Sequence, residues 1–272
     1  MKTAPLIFDR PALCAHRQRA TGDAMFLHEL ARDEIQDRLA MVNKRFTKAA
    51  IVTPFADIWA ADFPSAMIVE DHDTLSLAQG QFDLVIHAMC LHWAEDPVGQ
   101  LIQCRRALTE DGLCLAILLG GQTLNELRSV LAQAESTVTG GLSPRIAPMA
   151  EIRDMGGLLQ RAGLTLPVAD SVSHTVTYRD MTHLMHDLRA MGETNALAGR
   201  LRHPTRRGVF REALELYQNL FGTGDGRINA SFELICLTGW SPSDSQPKPK
   251  RPGSAQTRLA DALNVAEHRL PD

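Results

Sequence analysis

Apolar residues in this chain follow two periods, one of amphipathic helices and one of buried strands. Phe26, Leu27, Leu30, Ile35, Leu39 and Val42 recur at helical spacing with charged residues between them, which predicts a helix over residues 24–42. Residues 48–52 form a short apolar run closed by Pro54, and this predicts a buried strand. Residues 66–69 predict a second strand, followed by Glu70, Asp71, His72 and Asp73. A third, Phe-Asp-Leu-Val-Ile-His over 82–87, follows a turn at Gly80. Residues 97–107 predict a helix with Pro97 in its first turn. Asp111-Gly112 predicts a turn into Leu-Cys-Leu-Ala-Ile-Leu-Leu, a run apolar throughout, as in a sheet covered on both faces.

The second half has a different texture. Thr123 with Glu126 has the spacing of a capping box at the start of a helix. A helix is expected over 149–162, stopped by Gly163. Residues 175–178 are strand-like, and 181–191 and 205–221 are helical. The long apolar run 230–240 is expected as an antiparallel strand at a sheet edge. From Ser241 the composition turns to proline, serine and lysine, a flexible tail in which residues 257–268 can form one short helix if something binds it. Strands alternating with helices predict a parallel α/β sheet. The expected organisation is an N-terminal helical segment (1–47), an α/β domain (48–240) and a tail (241–272).

Composition narrows the function classes. The 272 residues carry a formal net charge of -4, which argues against a general nucleic-acid binder. Five widely spaced cysteines with no C-x-x-C pair predict a reduced, cytoplasmic protein. No apolar run reaches transmembrane length, and charges interrupt the first residues where a secretory signal would be apolar.

The segment 82–135, FDLVIHAMCLHWAEDPVGQ through to SVLAQAE, resembles the class I S-adenosylmethionine (SAM)-dependent methyltransferases. Within that superfamily the chain is similar to the biotin-pathway methyltransferases that esterify a malonyl thioester. It is more similar to the assembly factors of respiratory complex I that share the fold. IFDR near the start, LHW, GGQTLNELR, GGLSPRIAP, DLRAMGETNA and the SDSQPKP and RPGSA pieces of the tail carry this resemblance. It implies a Rossmann-like sheet with flanking helices, SAM as cofactor, and a protein client, plausibly a soluble subunit of complex I. It also leaves open an arginine-hydroxylase-like enzyme that does not methylate, or a binding module without turnover.

Two departures stand against the resemblance. The family turn after the first strand, D-x-G-x-G-x-G, lets the backbone approach the ligand. Here the matching residues 51–58 are IVTPFADI, without a glycine. Only 12 residues separate Val69 from Phe82, where the family places a further strand and helix, so the first half is shortened. The 66–69 strand can be the second of the family, with Glu70 on the ribose, or the third, with Asp71 on the adenine amino group. The spacing favours Asp71.

The candidate residues follow from this placement. His92 and Trp93 lie after the 82–87 strand, at the carboxyl end where open α/β sheets hold ligands. His92 can position an acceptor, and Trp93 can line the cofactor site or simply pack. His87 can act as base or contact cofactor, and equally fits a buried, satisfied histidine. Gly120 and Gly121 allow close approach of a substrate or a plain turn. Arg145, in the polar loop 140–148, suits an anionic substrate or solvent. His183, His186 and Asp187 lie on one helix but offer too few ligands, so no metal is expected. Arg206, Arg207 and Arg211 form a basic helix face.

Overall fold

The computed structural model describes residues 6–247, 253–254 and 257–265. Contacts divide the chain into two compact units, Met1–Pro242 and Ser243–Asp272. In the first unit the elements run α1 (Arg10–Arg17), α2 (Phe26–Met41), β1 (Ala49–Val52), α3 (Ala56–Ala60), β2 (Met67–Val69), β3 (Phe82–Ala88), α4 (Pro97–Ala107) and β4 (Leu108–Leu119). They continue with α5 (Asn125–Thr139), α6 (Ile152–Arg161), β5 (Thr165–Tyr178), α7 (Met181–Ala190), α8 (Arg207–Phe221) and β6 (Ile228–Trp240). In the second unit, Leu259–Leu263 forms one short helix without a partner, while residues 266–268 and the tail lysines lie outside the described residues. Among the described residues no helix is long and apolar enough to cross a membrane.

Six strands form one sheet in the order β2-β1-β3-β4-β6-β5. The first four are mutually parallel, and β6 runs antiparallel to both β4 and β5. Successive residues along each central strand point to opposite faces. Ile51, Leu84, Ile86, Leu115 and Ile117 therefore face one core, with α2, α5, α7 and α8. Ala50, Val52, Val85, Cys114 and Ala116 face the other, with α4 and α6. This two-sided burial is why the strands read as continuous apolar runs.

Local chemistry sets the helix starts. Asp96 caps α4 by accepting from the Gly99 amide at 2.8 Å, with Pro97 just inside. Gly163, at φ +79°, ends α6 as expected.

Three expectations are corrected. β6 is antiparallel but lies inside the sheet, and β5 forms the edge, because the 14-residue β5 extends well before Thr175. Asp111-Gly112 does not end a strand. Asp111 adopts φ +57° within β4 and the register with β3 slips there, so the turn is taken up as an irregularity. Thr123 and Glu126 form no capping box. The Thr123 hydroxyl donates to the Glu233 carbonyl at 3.2 Å and accepts from the Glu233 amide at 3.0 Å. Glu126 accepts from the Ser231 hydroxyl and amide. Both side chains pin the start of α5 to β6 instead.

β2 lies directly beside β1, and no strand lies outside it among the described residues. One βα unit of the full methyltransferase pattern is absent, and β2 occupies the place next to the first strand.

Gly120 and Gly121 are packing positions. A Cβ at Gly120 would stand 2.5 Å from Glu233 Oε2 and 2.8 Å from Ile235 Cγ1. At Gly121 it would stand 2.5 Å from Glu151 Oε1. Gly120→Ala is expected to destabilise the protein by about 1–3 kcal/mol, whereas Gly141→Ala, with nothing within 4 Å of its Cβ position, is expected to be close to neutral. Thermal unfolding of both variants checks this, and equal melting temperatures would contradict it.

Candidate functional site

The carboxyl ends of β1, β2 and β3 meet the N-terminal helix. Asp9 caps α1, accepting from the Ala12 amide at 3.1 Å. Arg10 and Arg17, seven residues apart, lie two turns apart on the same side of that helix. Both reach Asp71, which follows β2. Arg17 Nη1 donates to both carboxylate oxygens at 2.9 Å, in a buried pair. Arg10 adds a bond to Oδ2 at 3.2 Å and one to the Asp71 carbonyl at 2.5 Å. Glu70, its neighbour, is exposed and contacts His72 at 2.9 Å. Asp71 is buried, but its partners are arginines of this chain, and β2, paired directly with β1, takes the place of the second strand and not of the third that the spacing favoured.

The turn after β1 is closed in the same way. The Thr53 amide donates to the Val69 carbonyl at 2.9 Å, Pro54 has no amide hydrogen, and the Phe55 amide turns back to the Thr53 hydroxyl at 3.2 Å. The Phe55 ring stands edge-on to His28, centroids 4.9 Å apart. SAM would need backbone amides at this turn and a carboxylate free for its adenosine. These residues do not fit it.

His87 is fully buried. Its Nε2 pairs with Gln100 Oε1 at 2.6 Å and its Nδ1 lies 3.5 Å from Cys90 Sγ. Burial pulls its pKa down to about 4, with Gln100 acting against the shift. It is a neutral core group away from the cavity described next.

A cavity of about 190 Å³ opens between α2, α5, α7 and α8 and the loop after α7. Leu127, Met185 and Phe210 form its apolar walls; His92, Glu193 and Asn195 give it a polar end. Trp93 Nε1 donates to Glu193 Oε2 at 2.9 Å, and His92 Nε2 lies 3.5 Å from the same oxygen without forming a hydrogen bond. Trp93 also packs edge-on against Phe8 at 5.2 Å, so the two LHW side chains act through Glu193 and the N-terminal arm. Burial pushes the Glu193 carboxyl up, but His92, Arg17 and His28 outweigh it and hold the pKa below the usual carboxylate range.

Arg145 lines the cavity, yet it is not free for a substrate. It forks onto Glu135 at 3.0 and 2.7 Å and donates to Thr205 at 2.9 Å. Hydrogen bonds from Arg145 bring the Glu135 pKa down to about 2. His183 caps nothing with its ring and rests edge-on to Tyr178, and among the described residues no three His, Cys, Asp or Glu side chains gather to hold a metal.

Arg17, His28 and Glu193 were missed from sequence. Glu193 stood within DLRAMGETNA, a segment already noted; the paired arginines of α1 were legible from their spacing.

A parallel α/β sheet with one reversed strand next to its edge, and a site at the carboxyl ends of its strands, defines the class I methyltransferase fold. The comparisons agree. Residues 29–116 match the model of a methyltransferase domain. The chain is 30% identical to "Arginine-hydroxylase NDUFAF5, mitochondrial" of Danio rerio over 98% of its own length and 78% of that protein. The human protein of that name is 34% identical over 71% of this chain and 56% of the relative. "Malonyl-[acyl-carrier protein] O-methyltransferase" of Xylella fastidiosa (strain M23) is 36% identical over 66% and 59%. Among solved structures, YcgJ of Bacillus subtilis overlays with a TM-score of 0.46 at 9% identity, over 78% of this chain and 98% of its own. The chain belongs to the NDUFAF5 family of methyltransferase-fold proteins.

Two neutral, buried histidines carry a pH consequence. Burial pulls His28 from 6.5 to about 4, as it does His87. A depressed folded pKa means that the unfolded chain binds the extra protons. The resulting stability is full above pH 6.5 and is lost as pH falls towards 4. Urea unfolding across this window should show falling stability, with a shallower slope for His28→Phe; a flat profile would contradict the assignment.

Proposed function

We propose that this protein engages a protein client in the assembly of respiratory complex I, without turning over SAM. The observation that carries this reading is the crevice at Asp71. Arg17 and Arg10 occupy the Asp71 carboxylate, and the turn at Thr53 to Phe55 has no glycine and spends the Thr53 and Phe55 amides on this chain's own atoms, which supports the reading. The cavity beside it is intact and has one buried carboxylate, Glu193.

The relatives' name supports an arginine of the client as the residue recognised. A guanidinium entering the cavity would find Glu193 at its polar end, and apolar walls would suit the methylene stem. Binding of this kind orients a side chain and excludes water from it. No oxidation step is derived from these residues. All five cysteines are free and four are buried, and the NDUFAF5 relatives carry the word mitochondrial in their names.

Two measurements test the proposal. Calorimetry with SAM and with S-adenosylhomocysteine should give no binding at micromolar concentration, and micromolar affinity for either would restore the methyltransferase reading. Affinity capture from the native cell with quantitative mass spectrometry should enrich a soluble complex I subunit. Enrichment of acyl-carrier protein with no complex I subunit would replace the proposal with a role like that of the malonyl-carrier methyltransferases.

A further inference from the structure

The sheet edge at β5 is open over one short stretch. Among the described residues β5 has only β6 as a neighbour. Alternate backbone N–H and C=O groups along it therefore face outward. Both ends of the strand are guarded. Pro167 and the left-handed Leu166, at φ +48°, interrupt it where its register with β6 shifts. Arg38 holds the Asp170 carboxylate, and Arg227 Nη2 donates to the Thr177 carbonyl at 2.8 Å. Between these points, and among the described residues, 171–176 make no hydrogen bond except to β6. They contain no proline, lysine, arginine, aspartate or glutamate, the residues that commonly keep an edge strand single.

The order of side chains in this stretch says what fits against it. Residues 171–177 are Ser-Val-Ser-His-Thr-Val-Thr, a run that repeats its residue classes in reverse about His174. An antiparallel copy centred there sets Val172 opposite Val176 and Ser173 opposite Thr175. Each pair occurs twice, and His174 meets its own copy. Ser171, Ser173, Thr175 and Thr177 are exposed, and the alternate residues Val172, His174 and Val176 are half-buried. Valine against valine and hydroxyl against hydroxyl are favourable cross-strand neighbours, and valine and threonine suit an extended backbone. A strand of another protein would have to be matched to this order. A second copy of this chain matches it by symmetry.

We infer that β5 is a homodimerisation edge. Two copies pair antiparallel through residues 171–177, about a two-fold axis at His174, and join their six-stranded sheets into one. None of the residues that line the cavity at Glu193 belongs to β5, so the pairing draws on no group of that cavity. The contact is short and lies at the small end of specific interfaces, so the dimer is weak and reversible. It stands whether or not the client is a complex I subunit and whether or not SAM binds.

Sedimentation equilibrium of the full chain, from micromolar to near-millimolar concentration, reads the association directly. Two double variants at exposed positions test the register. Ser173→Lys with Thr175→Lys sets like charges opposite each other in both cross-strand pairs. Ser173→Lys with Thr175→Glu sets opposite charges there instead. Both variants share the change at 173, beside Glu233 of β6, and both should melt close to the wild type. The wild-type chain should form a concentration-dependent dimer. The like-charge variant should associate at least about tenfold more weakly, and the opposite-charge variant at least as tightly as the wild type. A wild-type chain that stays monomeric over the whole range would overturn the inference. So would a dimer that the like-charge variant leaves unchanged, or one that both variants weaken alike.

Discussion

The buried pair between Arg17 and Asp71 decides what the crevice of this protein can hold. Asp71 follows the strand beside β1, at the carboxyl ends where open α/β sheets hold ligands. A lone carboxylate buried there would cost several kcal/mol. Arg17 supplies its charge partner and Arg10 a second one. To deliver both, α1 must lie across the carboxyl ends of the strands. The segment before it joins the same arrangement: the Ile7 and Phe8 amides donate to Glu95, and Phe8 bridges to Leu197. The chain after α7 is fixed in turn. Gly192, at φ +80°, brings its backbone against Arg17, where a Cβ would stand 3.1 Å from the Arg17 Cα. Glu193 follows immediately and is thereby placed under Trp93 and His92.

Loss of the glycine turn and capture of Asp71 belong to one rearrangement. Thr53 and Phe55 use their amides within the turn and with β2. Phe55 then supplies an edge for His28, which is buried and held neutral by that burial. The cavity between α5, α7 and α8 depends on none of these groups except through Glu193.

The sheet was largely legible in the sequence because its strands are buried on both faces and its helices on one. Continuous apolar runs at 49–52 and 113–119, a largely apolar run at 82–88, and helical periods at 26–41 and 207–221 leave little ambiguity. What the sequence concealed involves partners far apart in the chain. Thr123 and Glu126 have the spacing of a local cap, yet β6 lies close enough to take both side chains. β5 alternates polar and apolar residues weakly because it is an edge strand, so its length was underestimated. Asp71 was singled out from local spacing, while its arginines lie 54 and 61 residues away. His92, Trp93 and Arg145 were found by position, but their roles are fixed by Glu193 and Glu135, carboxylates that no local pattern marks.

A crystal structure of the full chain grown with millimolar SAM tests this account most directly. The account predicts Arg17 still paired with Asp71 and no adenosyl group beside Thr53 and Phe55. An adenosyl group bonded to Asp71, with Arg17 displaced, would contradict it.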